Sequence, residues 1–144
     1  MISYAGIFFE PDTINLIHSL ESNPLEKVND TTHCTFIYRP KSTKIYNKLV
    51  GKYFTLYLIE YGSDTKNSGF KVALPEELEP YYQNYDRENN LVTPHITASL
   101  SKNTKPFNTR KLNFHPLDKP IKIVGRFGYY IKKNNKEYLS FEPR

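Results

Sequence analysis

The chain opens with an apolar run of strand length, residues 2–9, Ile-Ser-Tyr-Ala-Gly-Ile-Phe-Phe. Pro11 and Asp12 then start a helix to about Ser22, with Ile14, Ile17 and Leu20 at helical spacing on one face. His18 lies among these apolar positions and reads as structural. Asn23-Pro24 stops the helix, and a polar connection leads to a strand predicted at about 32–38. Tyr53 to Tyr61 is the strongest strand signal in the chain. Gly62 to Gly69 has turn composition, and residues 69–74 return as its hairpin partner. Residues 75–94 are ambiguous: Pro75-Glu76-Glu77-Leu78 can start a helix, but Pro80 interrupts it. Both a substrate lid and an ordinary packed crossover fit this segment and its Tyr81, Tyr82 and Tyr85. A strand follows at 94–101, its approach held extended by Pro94. A short helix near 104–112, capped by Thr104, precedes strands near 120–132 and 136–142 that join through a turn at Asn134-Asn135. His115, before Pro116, is placed in a loop and read as structural.

These elements predict an α+β fold in one domain, 1–144, built from two β-α-β-β lobes with antiparallel sheets flanking a central cleft. Lobe one covers about 1–74, a crossover insert 75–93, and lobe two about 94–144. Lys41-Ser-Thr-Lys44 in the first half is echoed by Lys102-Asn-Thr-Lys105 in the second, which fits a pseudo-twofold relation between the lobes.

That relation gives meaning to two short segments. Thr32-His33-Cys34-Thr35-Phe36-Ile37-Tyr38 and Pro94-His95-Ile96-Thr97-Ala98-Ser99 each carry His-x-Thr in a strand-like context, with the second histidine 62 residues after the first. Strand side chains alternate faces, so His33 and Thr35 point one way and His95 and Thr97 likewise, while Cys34 and Ile96 point into the core. Two imidazoles and two hydroxyls aimed into one cleft suit phosphate chemistry. An unperturbed imidazole titrates near 6.5, so one histidine can act as base while the other acts as acid. Threonine hydroxyls can donate to non-bridging phosphate oxygens as charge builds in the transition state. No metal or other cofactor is required by this chemistry. The bland alternative is a pair of half-buried strand histidines bonded to nearby carbonyls, since a single His-x-Thr is a weak signal.

The net charge of +5 favours an anionic partner without naming it. Lys41, Lys44, Lys48 and Lys52 form either a phosphate-attracting rim or a solvated loop or short helix. Twelve tyrosines and nine phenylalanines supply rings that could stack on bases, although half-buried strand positions account for most of them. One cysteine excludes an internal disulfide and suits a reducing cytoplasm. The run around Ile7-Phe8-Phe9 is too short, and lacks the basic lead, for a signal peptide, and no stretch reaches membrane-spanning length. A cytoplasmic protein with no membrane partner and no obligate protein partner is expected.

With both motifs in view, the chain resembles the 2H phosphoesterases, a superfamily named for two His-x-[Thr/Ser]-x motifs on paired lobes. His33-Cys-Thr35-Phe and His95-Ile-Thr97-Ala satisfy the pattern, and the lobe order spans nearly the whole chain. Within that superfamily it is most similar to the phage anti-CBASS nucleases, in size, in the opening Ser3-Tyr4-Ala5-Gly6-Ile7, and in a first motif extended to Tyr38. The resemblance implies the two-lobed 2H fold and metal-independent cleavage of 3′–5′ bonds in cyclic di- or trinucleotide immune signals, inside an infected bacterium. It implies His33, Thr35, His95 and Thr97 as catalytic residues and Tyr4 as a ring for a substrate base. The chain has no tryptophan, so a C-terminal aromatic clamp would fall to Tyr138 or Phe141. Tyr38, Lys41 and Lys102, which lie close to the motifs, complete the substrate-binding set. Two rivals stand beside this reading. One is processing of RNA 2′,3′-cyclic phosphate ends, with RNA as partner; the other is a non-catalytic sponge that holds a cyclic nucleotide intact.

Overall fold

The computed structural model describes residues 1–29, 32–102, 104 and 106–144. Its strands are β1 (Ile2–Phe8), β2 (Lys27–Val28), β3 (His33–Tyr38), β4 (Tyr53–Ser63), β5 (Asn67–Ala73), β6 (His95–Leu100), β7 (His115–Lys133) and β8 (Lys136–Ser140). Among the described residues, one α-helix, α1 (Pro11–Ser19), and three short 3₁₀ turns complete the α+β fold. Among the described residues all strand pairings are antiparallel, in the order β2-β6-β5-β4-β7-β1-β3. β8 lies against the last part of β7, on the edge that β4 uses along the first part. The sheet curls so that β3, at one end, comes into contact with β6 near the other.

This pairing crosses the lobe boundary expected from chain order. β4 and β5 belong to the first half of the sequence, yet β5 pairs with β6, the second motif strand. β7 and β8 belong to the second half, yet β7 pairs with β1, beside the first motif strand. The length of β7 makes this geometry work. Strand signals suggested 120–132, but the strand begins at His115, opposite Tyr61, so one continuous element serves both ends of the sheet. His115 is therefore a strand residue and not a loop residue.

Local sequence explains most element ends. Pro11 sits in the first turn of α1, where its missing N–H costs nothing, and Asp12 complements the helix dipole. The helix stops at Ser19 and not near Ser22. The cause is Glu21, whose fully buried carboxylate is drawn towards the sheet. It accepts hydrogen bonds from Tyr61 Oη at 3.2 Å and Ser99 Oγ at 2.9 Å, and one from the Ser68 hydroxyl. His18 Nδ1 lies 3.1 Å from the same carboxylate, which confirms a structural role for that histidine. Asn134 and Asn135 both adopt the left-handed conformation (φ 53° and 63°) that a tight hairpin between β7 and β8 needs.

Residues 75–94 form a packed crossover. Glu76–Tyr81 is a 3₁₀ turn containing Pro80, because proline cannot donate to a longer helix. Tyr82 is buried and donates to Val92 O at 2.7 Å, and Gln83 N donates to Phe36 O of β3 at 2.9 Å. The expected helix near 104–112 is likewise a 3₁₀ turn over Pro106–Lys111. The core face carries Ala5, Ile7, Phe36, Leu56, Leu58, Phe70, Ile96 and Phe127, all buried. Phe36 meets Phe127 and Tyr82 edge to face, at 5.3 and 5.4 Å between ring centroids. Among the described residues, no helix is long and apolar enough to cross a membrane.

Candidate active site

The alternation read from sequence holds at both motifs. Cys34 and Ile96 are fully buried in the core, so His33 and Thr35, and His95 and Thr97, point to the other face. Burial pushes the Cys34 thiol up to about 12, and the His95 backbone N–H hydrogen-bonds it, a direct contact between β3 and β6. Where these strands meet, His33, Thr35, His95 and Thr97 line one small cavity of about 40 Å³. Tyr38, Asn84 and Arg110 complete its wall.

The two strands reach this cavity by matching routes. Thr35 sits opposite Gly6 of β1, which in turn sits opposite Gly128 of β7. Thr97 sits opposite Gly69 of β5, which sits opposite Gly62 of β4. A register shift flanks each inner glycine, between Ala5 and Gly6 and between Ser68 and Gly69. A Cβ on Gly6 would lie 2.1 Å from Cys34 O, and one on Gly69 would lie 2.4 Å from both Ile96 O and Thr109 Cγ2. Each motif threonine is therefore seated by a β-bulge that only glycine allows. The two motif strands thus match in their pairing and in the glycine opposite each threonine, a closer likeness than the lysine echo. Of that echo, Asn103 and Lys105 lie outside the described residues.

The histidines themselves are held differently. His95 Nδ1 lies 2.9 Å from Thr93 O, the geometry of an N–H donating to a carbonyl. In the neutral ring that bond leaves Nε2 as an acceptor. Burial pushes the His95 imidazole below its ordinary 6.5, the Thr93 hydrogen bond opposes that, and the Arg110 guanidinium depresses it further. His33 instead lies in an aromatic stack, 4.6 Å from the Tyr4 ring and 5.5 Å from the Phe8 ring, with interplanar angles of 21° and 29°. An imidazolium gains attraction from such faces. Tyr4 stacks in turn on Tyr130 at 5.0 Å.

Thr97 Oγ1 donates to the buried Thr109 Oγ1 at 2.7 Å, and Asn29 Nδ2 donates to Thr97 O at 3.0 Å. Asn84 lines the cavity, and its buried Oδ1 finds no hydrogen-bond partner among the described residues.

The five expected substrate-binding residues fare unequally. Tyr38 is 55% exposed at the cavity rim, the geometry of a stacking platform. Tyr4 is committed to His33 and Tyr130, so its ring supports a histidine and is not open as a base platform. Lys41 and Lys102 are exposed and do not line the cavity. Tyr138 lies on β8, with the Arg144 guanidinium 5.8 Å from its ring, also outside the cavity lining. Phe141 covers Gly128, where a Cβ would approach its ring to 2.8 Å.

Sequence reading missed Arg110, Asn84 and Thr109. Arg110 gave no signal beyond being a cation 15 residues after His95. Asn84 came from the segment whose structure was ambiguous. Among the described residues no cluster of three His, Cys, Asp or Glu side chains is placed to share a metal ion. A scan of protein-family models finds no match to this chain, and a search of curated proteins finds none.

Proposed function

We propose that the chain is a metal-independent phosphodiesterase of the 2H type that opens cyclic di- or trinucleotide signals at a 3′–5′ bond. The observation that carries this reading is the convergence of His33, Thr35, His95 and Thr97, with Arg110, on one cavity.

In this reading His95 is the base. Its Nε2 takes the proton of a ribose 2′-hydroxyl as the 2′-oxygen forms a bond to the adjacent phosphorus. His33, as imidazolium, protonates the departing 5′-oxygen as the P–O5′ bond breaks. Thr35 and Arg110 hold the charge on the non-bridging oxygens, and the Thr97 hydroxyl joins them by turning its O–H from Thr109 Oγ1 to the phosphate. The product is a linear nucleotide ending in a 2′,3′-cyclic phosphate. Water can then open that ring with the two histidines exchanging roles.

The test is incubation with a panel of cyclic di- and trinucleotides in EDTA, resolved by chromatography. Linear products are expected at the same rate in EDTA and in added magnesium. Strict metal dependence would sink the mechanism. Intact nucleotides throughout would remove the signal-cleaving reading and turn the assay to RNA with 2′,3′-cyclic ends. Recovery of unchanged ligand from a heat-dissociated complex would identify a sponge.

The pH profile separates the two histidines. A base must be neutral to act, and His95 is held below 6.5, so it stays active at pH values where an ordinary histidine is already protonated. The acid limb of kcat/KM is therefore expected below pH 6.5. Arg110→Met removes a charge that depresses His95 and should move that limb upward, whatever it does to the plateau. An acid limb above 6.5 in the wild type, or one unmoved by the substitution, would contradict the assignment of His95.

A further inference from the structure

Beyond the histidine cavity lies a much larger groove of about 560 Å³, on the far side of His95 and Arg110, which line both spaces. Lys71, Arg87, Arg110 and Lys111 contribute four cations to its wall, against the carboxylates of Asp86 and Glu88. Asp86 Oδ1 is already engaged by the Glu88 and Asn90 backbone N–H groups, each at 2.9 Å, so part of the acidic charge closes the local turn. Leu91, Leu112 and Phe114 form the apolar part of the wall. The volume falls within the roughly 300–1,000 Å³ of small-molecule sites.

The register places one of these cations next to the chemistry. Lys71 pairs directly with His95 across β5 and β6, so both side chains leave the sheet on the same face. Lys71 Nζ lies 5.0 Å from the centre of the Phe114 ring and 4.0 Å from Glu60 Oε2, at the outer limit of an ion pair. In the other half, Phe8 occupies the matching position beside His33 and is buried. The two halves thus differ at this position: one side of the cavity is walled with rings, and the other opens into a cationic groove.

We propose that this groove is a second nucleotide subsite, with Lys71 and Arg87 holding a phosphodiester one nucleotide away from the bond being cut. The proposal rests on the phosphodiesterase reading and sharpens its substrate class. A ligand carrying two phosphates fills both spaces, whereas a 2′,3′-cyclic mononucleotide fills only the first. Apolar contact with Leu91 and Phe114 gives the second base a wall and no hydrogen-bond code, so the groove selects for length and charge more than for base identity.

Equilibrium binding tests this without requiring turnover. The probes are a bis-phosphorothioate cyclic dinucleotide, a linear dinucleotide ending in a 2′,3′-cyclic phosphate, and a 2′,3′-cyclic mononucleotide. The ratio of mononucleotide to dinucleotide dissociation constants is the readout. In the Lys71→Ala, Arg87→Ala double variant this ratio is expected to fall at least about tenfold, since even one bond to a charged partner carries about that much. Lys71→Arg, with Arg87 intact, should keep most of the wild-type ratio. The dinucleotides should also lose affinity more steeply with salt than the mononucleotide does. A ratio unchanged by the double variant would overturn the subsite. If the groove dependence is found but the natural cyclic dinucleotide survives incubation intact, the hydrolytic reading falls and the binding site stands. Equal dependence for the linear and cyclic dinucleotides would show that the groove reads the second phosphate, whatever closes the molecule. Dependence of the cyclic one alone would tie it to the ring.

Discussion

Alanine at His33 or at His95 is expected to abolish turnover almost completely, each costing at least about 10²–10⁴-fold in kcat. Neither change should unfold the chain, because the apolar core lies on the opposite sheet face, although His33→Ala gives up the stacking of that ring on Tyr4 and Phe8. Thermal unfolding midpoints close to that of the wild type would establish this. The double variant should be little slower than either single one, since groups that act as a unit do not add. The two losses should differ in kind. His33 protonates the leaving oxygen, so a substrate with a weakly basic leaving group, such as a nitrophenyl phosphodiester of a nucleoside, needs that proton less. It should recover much of the His33→Ala loss and little of the His95→Ala loss. Recovery of His95→Ala alone would exchange the roles, and unimpaired turnover in both variants would end the paired-histidine mechanism.

The second large effect concerns stability. Gly6→Ala and Gly69→Ala each insert a Cβ into backbone atoms, Cys34 O at 2.1 Å and Ile96 O at 2.4 Å. Flexible side chains can move aside, but a hydrogen-bonded strand carbonyl cannot do so without disturbing its pairing. Overpacking costs about 1–3 kcal/mol and sometimes more, and these contacts lie at the upper end. A lower urea midpoint with an unchanged slope is the expected signature. Activity should fall as well, since each substitution presses on the strand that carries a motif threonine. Gly128→Ala is the milder comparison, with its nearest contacts at 2.8 Å to Phe141 Cδ1 and Ser140 O. Should all three variants unfold at the wild-type midpoint, the bulges are not what seats Thr35 and Thr97.

The site was legible in the sequence where the signal was local. His-x-Thr in a β-branched context fixed which side chains share a face, and the strands over 33–38 and 95–100 formed with that alternation. The antiparallel α+β class followed from the same periodicities. What the sequence hid was long-range. Nothing in the composition around Gly6 or Gly69 announces that each lies opposite a motif threonine, because pairing partners are not written in one strand alone. The helix was overextended because Glu21 looks like an ordinary exposed helix residue until Ser68 and Ser99 are known to face it. The resemblance assigns Tyr4 to a substrate base, and nothing in the sequence shows that His33 and Tyr130 already stack on its ring. Arg110 was missed for the same reason, lying on a 3₁₀ turn whose position depends on packing.

The path of β7 has a consequence for how such a molecule can be divided. Because this strand borders β4 along its first part and β1 along its last, each end of the sheet contains chain from both sides of residues 75–94. Neither half of the chain, divided at residues 75–94, can therefore complete its own end of the sheet. A cut in the exposed turn around Asn89 would leave two pieces that have a site only together.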